Sequence, residues 1–260
     1  MRKGWYSMTN LKVNIAGVSF KNPVITASGC FGFGREYECM YPLEKLGGIS
    51  LKGMTFKEKL GNPPPRIAET PSGMLNSVGL QNPGVEHFLE YDMPYLAKQD
   101  TVKIANIAGS TIEDYCAIAE RLSDSEIDMF ELNISCPNVK QGGAAFGTSC
   151  ASAEKVVKEV RKYAKKPMIV KLSPNVTDIV SIAQAVEAQG ADAISLINTL
   201  LGMRIDINTR RPILKNNVGG LSGPAIFPVA VRMVWQVYEA VRIPIIGMGG
   251  VRTAEDGLEL

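Results

Sequence analysis

The sequence predicts an α/β protein built on a parallel sheet. Short, almost continuously apolar segments recur along the chain, as expected for parallel strands that are buried on both faces. An amphipathic stretch follows each segment, and this alternation is typical of repeated βα units. We predict strands at 24–27, 49–52, 102–105, 129–134, 168–171, 193–198 and 243–248. We predict helices at 37–46, 85–96, 112–122, 153–164, 176–189, 225–241 and 254–260.

Two architectures fit this alternation, a doubly wound sheet and a closed barrel. The first is disfavoured because no GxGxxG motif follows the first predicted strand. Polar residues repeatedly end the strands, and in a (β/α)8 barrel these ends form one active-site face. The residues are Ser28, Lys52, Asn106, Asn133, Lys171 and Asn198. The sequence therefore favours a (β/α)8 TIM barrel that forms a single domain over 1–260.

The pattern contains seven βα units, and the eighth unit of such a barrel is expected to be missing from this sequence. Two connections are long, at 53–84 and 199–223. Long ordered loops on the active-site face of a barrel are usually lids or binding loops. We therefore expect both connections to contribute to a site.

Composition excludes several classes of protein. The chain has 260 residues, 45% of them hydrophobic, and a net charge of +2. This balance gives no electrostatic footprint for nucleic acid or a membrane surface, and no apolar run approaches the ~20 residues of a membrane helix. The five cysteines have no metal-site spacing and His87 is the only histidine. We expect no metal site and a reducing, cytoplasmic location.

A cysteine directly follows the fourth predicted strand. Cys136 stands between Ser135 and Pro137 in a polar segment. A thiol has a free pKa of about 8.5, so it can act as a nucleophile or as a general base. The alternative interpretation is that Cys136 is a small buried hydrophobe.

Lysines and asparagines at strand ends indicate a ligand. Lys52 and Lys171 end apolar strands, and a buried lysine needs an anionic partner, such as a carboxylate, a phosphate or a reduced cofactor ring. A Schiff base on Lys171 or a surface lysine are the alternatives. Asn76, Asn133 and Asn198 would suit a planar ligand with amide edges if they converged. Singly, asparagines are more often turn residues.

Glycines precede two predicted helices. Gly247, Gly249 and Gly250 follow the seventh strand, and 219–224 precedes the sixth helix. Glycines let backbone N–H groups approach a phosphate at a helix N-terminus, and barrels favour phosphate sites after strands seven and eight. This signal is weak when taken alone.

Several segments together resemble one enzyme family. They are NPVITASG (22–29), SLKG (50–53), NSVGLQNPG (76–84), NISCPN (133–138), INT (197–199) and GMGG (247–250). In this order and spacing they resemble dihydroorotate dehydrogenase, from about residue 10 onward. About residues 1–9 are then an N-terminal extension. Against the family pattern, the eighth βα unit that completes the phosphate site is missing.

The resemblance implies an FMN-dependent barrel that oxidises (S)-dihydroorotate to orotate in pyrimidine biosynthesis. In this family the membrane-bound class has serine at the position of the base. This sequence has Cys136 there, so it resembles the cytosolic class 1. The continuation VKQGGAAFGT (139–148) resembles the NAD-linked class 1B. That class implies a partner subunit with FAD and a 2Fe–2S cluster, in a heterotetramer. The alternatives are a fumarate-linked class 1A enzyme or another FMN barrel oxidoreductase.

The resemblance also implies roles for individual residues. Cys136 would be the catalytic base, and Lys52 would contact both substrate and FMN. The other substrate-binding residues would be Asn76, Ser77, Val78, Gly79, Leu80, Asn133, Asn198 and Thr199. The other FMN-binding residues would be Ser28, Gly53, Asn106, Asn133, Lys171, Ile197, Gly223, Gly249 and Gly250.

Two hypotheses from other classes compete with this one. A Schiff-base lyase would use Lys171, and borohydride with substrate would then trap an adduct on that lysine. An inactive, flavin-free fragment that binds a partner would instead follow from the missing eighth unit.

Overall fold

The computed structural model describes residues 9–135 and 146–260. The strands are β1 Val13–Ile15, β2 Val18–Phe20, β3 Ile25–Thr26, β4 Gly48–Ser50, β5 Ile67–Thr70, β6 Gly73–Asn76, β7 Val102–Ile107, β8 Met129–Asn133, β9 Met168–Lys171, β10 Ala193–Leu196, β11 Leu200–Met203, β12 Ile205–Asp206, β13 Arg211–Pro212, β14 Val218–Ser222 and β15 Ile245–Gly247. The α-helices are α1 Arg35–Glu38, α2 Val85–His87, α3 Met93–Leu96, α4 Ile112–Ser123, α5 Cys150–Arg161, α6 Ile179–Ala188, α7 Phe227–Tyr238 and α8 Ala254–Glu259. A π turn, Phe88–Asp92, joins α2 to α3, and 3-10 turns lie at Leu43–Lys45 and Pro224–Ile226.

Seven parallel strands form the central sheet of the described residues. Their order is β3-β4-β7-β8-β9-β10-β15, which is also their order along the chain. Every residue of β8, β9 and β10 is buried, as predicted for strands covered on both faces. The α/β class and the parallel sheet are thus confirmed, and a half-barrel of this order fits a TIM-barrel-like fold. That an eighth unit is missing stays a prediction.

The helices begin where a side chain can cap them. Thr111 and Asp114 form a capping box at the start of α4, as the sequence predicted. Ser149 caps α5 and Asp178 caps α6, so α5 begins three residues earlier and α6 three residues later than predicted. The helix predicted over 37–46 is wrong. It is broken into α1 and a 3-10 turn because Pro42 lacks the N–H that a continuous helix needs.

The two long connections contain strands of their own, which the sequence analysis did not predict. They pair with one another in a four-stranded antiparallel sheet of order β11-β14-β6-β5. Strands β6 and β14 meet with Asn76 opposite Gly220. This pairing was not predicted because β14 contains two glycines, which have low strand propensity. Both connections leave the carboxyl ends of parallel strands, so the small sheet stands at that end of the barrel.

An apolar plug fills the opposite end of the barrel. The hairpin β1–β2 contributes Phe20, which is 1% exposed and packs with Ile104, Met129, Ile169 and Ala193 near the amino ends of four strands. Burial of a phenylalanine side chain contributes about 1.5–3 kcal/mol. The amino end is therefore closed by packing, and the polar interior lies at the carboxyl end. No helix among the described residues is long and apolar enough to cross a membrane.

Candidate active site

The polar interior is built from alternate residues of the parallel strands. Side chains at positions i and i+2 of a strand face the same side of a sheet. Hydrogen bonds join polar side chains from four strands, β4, β7, β8 and β10, so these side chains face one interior. The carboxyl-terminal half of the barrel is thus polar, above the apolar plug.

Glu131 lies at the centre of this interior and is 2% exposed. Its Oε2 accepts hydrogen bonds from Ser50 Oγ and Asn106 Nδ2, both at 2.6 Å, and its Oε1 accepts one from Ser195 Oγ at 2.7 Å. Burial opposes ionisation of the carboxyl. The Lys171 ammonium and the three hydrogen bonds outweigh burial and hold the pKa of Glu131 below its ordinary value. Glu131 is therefore a buried carboxylate.

Sequence reasoning missed Glu131, although a signal for it exists. A charged residue in the middle of an apolar parallel strand is rare unless it is paired. Glu131 occupies that position in Met129–Asn133. Ser50 and Ser195 were missed because a serine in a strand has no such signal.

A line of amides runs upward from Glu131. Asn106 Oδ1 accepts a hydrogen bond from Asn133 Nδ2 at 3.3 Å. Asn133 Oδ1 accepts from the backbone N–H of Ser135 and from its hydroxyl, and Ser135 Oγ accepts from Asn198 Nδ2 at 2.7 Å. Asn133 and Asn198 thus converge through Ser135, a buried residue that the sequence analysis did not select.

Asn76 is connected to Asn198 through the antiparallel sheet. Its Nδ2 donates to the carbonyl oxygen of Gly220 at 3.4 Å. A side chain at Gly220 would overlap Thr199 Oγ1, and the Thr199 N–H donates to Asn198 Oδ1 at 2.7 Å. The structure thus provides a link from Asn76 to Asn198 through Gly220 and Thr199. Gly220 mediates it, and no pattern in the sequence could identify a pairing across two connections.

Hydrogen bonds from Asn62 hold the segment 77–80 in place. Asn62 donates from its backbone N–H to the carbonyl oxygen of Val78 at 2.9 Å, and from its side chain to that of Ser77 at 3.0 Å. Gly79 and Leu80 have positive φ of 75° and 57°. The N–H groups of Val78, Gly79 and Leu80 make no hydrogen bond with any residue that the structure describes. Successive free N–H groups of this kind form an anion-binding nest.

Leu80, a predicted substrate residue, lies close to Gly53 and Asn106, two predicted FMN residues. A Cβ at Gly53 would lie 2.9 Å from Asn106 Oδ1 and 3.3 Å from Leu80 Cδ2. Gly53 is therefore the close approach between the end of β4, Asn106 and Leu80. The predicted substrate and cofactor residues meet at this point.

Ser28 and Lys52 follow the neighbouring strands β3 and β4, and Lys171 ends β9, three strands further along the sheet. Lys171 is 5% exposed, and its ammonium makes no hydrogen bond or short ion pair with any described residue. Lys52 Nζ lies 3.8 Å from a Cβ built on Gly29. Ser28 Oγ donates to the carbonyl oxygen of Leu51 at 2.7 Å, so Ser28 sits next to Lys52. Lys171 is the register partner of Asn133 in the adjacent strand β8, but no hydrogen bond among the described residues joins its side chain to the line of amides.

Glycines form a tight junction where β14 and β15 lead into the next helices. Gly223, Gly249 and Gly250 have φ of 102°, 121° and 80°. A Cβ on Gly250 would lie 2.7 Å from the carbonyl oxygen of Gly223, and one on Gly249 would lie 3.2 Å from Ile197 Cγ1. These residues are thus in contact, beside the turn Pro224–Ile226 that leads into α7. Their backbone is accessible to a phosphate only because side chains are absent.

Gly250→Ala is expected to weaken FMN binding at least tenfold. The new Cβ clashes with backbone rather than with a flexible side chain, and the left-handed conformation costs alanine about 1–2 kcal/mol. Fluorescence titration of flavin-free protein with FMN measures the change. Gly257→Ala is the matched control, because a Cβ there meets nothing within 4 Å. Equal FMN affinity of the two variants would contradict a cradle at this junction.

The predicted base, Cys136, lies outside the described residues. The described chain leads up to it at Ser135, which is fully buried and bonded to both Asn133 and Asn198. Its role as a base stays a prediction. Among the described residues, no group of three or more His, Cys, Asp or Glu side chains could hold a metal ion.

Comparison with known proteins identifies the family. A family model described as dihydroorotate dehydrogenase matches residues 10–260. The chain belongs to the dihydroorotate dehydrogenase family. A protein of Alkaliphilus metalliredigens is 62% identical over 250 residues, which are 96% of this chain and 83% of that protein. One of Alkaliphilus oremlandii is 62% identical over 249 residues, 96% of this chain and 82% of that protein. One of Listeria welshimeri is 58% identical over 253 residues, 97% of this chain and 83% of that protein.

These relatives share one name. Each is called dihydroorotate dehydrogenase B (NAD(+)), catalytic subunit. The family resemblance drawn from the motifs is therefore confirmed. Membership of the dihydroorotate dehydrogenase family also favours a flavin enzyme over the Schiff-base lyase.

Proposed function

We propose that this protein oxidises (S)-dihydroorotate to orotate in pyrimidine biosynthesis, using FMN, and passes the electrons through a partner subunit to NAD+. One observation of the site carries the proposal. The three free N–H groups at 78–80 come two to four residues after Asn76, which is linked through Gly220 and Thr199 to Asn198, and Asn198 and Asn133 both bond Ser135. A nest suits a carboxylate, and the amides suit the flat donor and acceptor edges of a pyrimidine ring. Dihydroorotate has both features.

The residues present also fit FMN. Lys171 has a buried ammonium with no described partner to donate to, which suits an anionic cofactor edge. The Gly223–Gly250 junction offers exposed backbone for a phosphate. We assign cofactor contacts to Ser28, Lys52, Gly53, Asn106, Asn133, Lys171, Ile197, Gly223, Gly249 and Gly250. Bound FMN would supply the hydride acceptor for C6 of the substrate.

The protein's own residues would perform the remaining chemistry. Cys136 would take the proton from C5 of dihydroorotate as a general base. The nest at 78–80 and Lys52 would hold the substrate carboxylate, while Asn76, Asn133, Asn198 and Thr199 would orient the ring. Because Asn133, Asn198 and Thr199 are already joined by hydrogen bonds, two of them through Ser135, little reorganisation of these three is needed in the transition state.

The electron acceptor and the assembly are inferred from the relatives. Their shared name specifies NAD+ and a catalytic subunit, which favours class 1B over the fumarate-linked class 1A. We propose a partner subunit that carries FAD and a 2Fe–2S cluster, in a heterotetramer located in the cytoplasm. We propose no nucleic-acid partner and no membrane partner.

A visible spectrum of the purified protein tests the proposal. Recorded without oxygen, it is expected to show bound flavin that bleaches when dihydroorotate is added. Bound flavin that dihydroorotate fails to bleach would refute the substrate. A protein that stays colourless after incubation with FMN would refute the cofactor and favour the inactive-fragment hypothesis.

A further inference from the structure

We propose that Glu131 is a positioning residue that acts through Lys171: its carboxylate is the buried counter-ion that holds the Lys171 ammonium and limits the positive charge presented to the flavin. The inference rests on the proposed function in that the flavin is its site of action. The ion pair itself stands on the residues of the barrel alone.

The placement of the two residues supports a pair. Asn133 of β8 is opposite Lys171 of β9 in the parallel ladder, so Glu131 faces the same interior one layer below the lysine. Both are almost fully buried, at 2% and 5% exposure. No described carboxylate, Glu131 included, forms a short ion pair with Lys171, and Glu131 is the carboxyl whose ionisation the Lys171 ammonium favours. An isolated charge in such an interior is costly, and a nearby opposite charge offsets that cost.

The hydrogen bonds hold the carboxylate in place rather than compensate its charge. Ser50, Asn106 and Ser195 are neutral donors from three other strands. They hold both carboxylate oxygens in place but carry no charge. The charged group that favours ionisation of Glu131 is the Lys171 ammonium. Removal of the negative charge would therefore leave an uncompensated ammonium beside the cofactor, which favours the anionic reduced flavin.

Glu131→Gln removes the charge and can keep every hydrogen bond. The amide oxygen can accept from Ser50 and Asn106, while its NH2 group donates to the Ser195 hydroxyl, which can also accept. We expect the flavin midpoint potential at pH 6 to become more positive, equivalent to about tenfold in the reduction equilibrium, or about 30 mV for a two-electron couple. Lys171→Met is expected to shift the potential in the opposite direction.

Ser195→Ala is the matched control. It removes a hydrogen bond from the same carboxylate and leaves the charge, so stability should fall while the potential stays unchanged. A shift as large as that of Glu131→Gln would assign the effect to loss of packing and overturn the proposal. An unchanged potential in Glu131→Gln would overturn it too.

A double-mutant cycle in flavin-free protein tests the pair without the cofactor. Each single variant, Glu131→Gln or Lys171→Met, leaves one buried charge unbalanced, whereas the double variant leaves none. We expect the double variant to lose less thermal stability than the sum of the two single losses. Additive losses would refute the pair.

If a single variant fails to fold, a folded double variant supports the pair and an unfolded one refutes it. Failure of the wild-type protein to bind FMN would refute the proposed function and leave this cycle interpretable.

Discussion

Cys136→Ala is expected to leave FMN bound but to slow its reduction by dihydroorotate about 10²- to 10⁴-fold at neutral pH. That range is the usual contribution of a positioned general base. FMN binding should persist because no cofactor contact is assigned to the thiol. Stopped-flow absorbance without oxygen gives the rate of flavin reduction, and the ratio of protein to flavin absorbance gives the occupancy.

Cys116→Ala is the control for this experiment. Cys116 lies on α4, on the outside of the barrel, and burial raises the pKa of its thiol. It is therefore protonated at neutral pH and cannot serve as a base. Flavin reduction in Cys116→Ala should match the wild type. Unimpaired reduction in Cys136→Ala would remove Cys136 from the catalytic role.

The sequence predicted those parts of the fold that depend on local pattern. The strand Met168–Lys171 is confirmed at both ends, because a continuously apolar run bounded by a proline and a lysine leaves little choice of register. The helix at Ile112 is confirmed by the capping box at Thr111. The order of the parallel strands also follows, since short βα connections place successive strands side by side.

The sequence could not predict features that depend on contacts between distant segments. The sheet that joins β6 to β14 brings together residues about 140 positions apart, and its strands are short and rich in glycine. Lys171 is buried, as predicted for a lysine that binds a ligand. The sequence pattern gave no reason to pair this lysine with Glu131. The line of contacts from Gly53 through Asn106 to Asn198 likewise depends on side chains that only the curled parallel sheet brings together.

Gly220→Ala is expected to weaken binding of orotate about 10- to 100-fold while FMN affinity stays within twofold of the wild type. A Cβ at this position would overlap Thr199 Oγ1. Gly220 lies on β14, and its carbonyl oxygen accepts the hydrogen bond from the Asn76 side chain. Thr199 must therefore move away from Asn198 and Asn76. Loss of two or so ligand hydrogen bonds, each worth about 0.5–1.5 kcal/mol, accounts for the expected range. Titration of the flavin spectrum with orotate measures the dissociation constant.

Gly202→Ala separates this effect from general damage to the small sheet. Gly202 lies on β11 of the same sheet, opposite Gly219. A Cβ there would lie 3.1 Å from Leu75 Cδ2, a side-chain tip, and at an ordinary contact distance of 3.8 Å from Leu221 Cβ. The tip of a leucine side chain can move at little cost, whereas Thr199 is hydrogen-bonded through its N–H to Asn198 and can move only by disturbing that contact. Orotate affinity should then be near the wild-type value in Gly202→Ala.

Because neither glycine touches the predicted cofactor residues, a parallel loss of FMN from Gly220→Ala would mean that this sheet supports the whole carboxyl end of the barrel. Selective loss of orotate would assign the pairing of β6 with β14 to substrate recognition, which is the role that the convergence of Asn76 and Asn198 indicates.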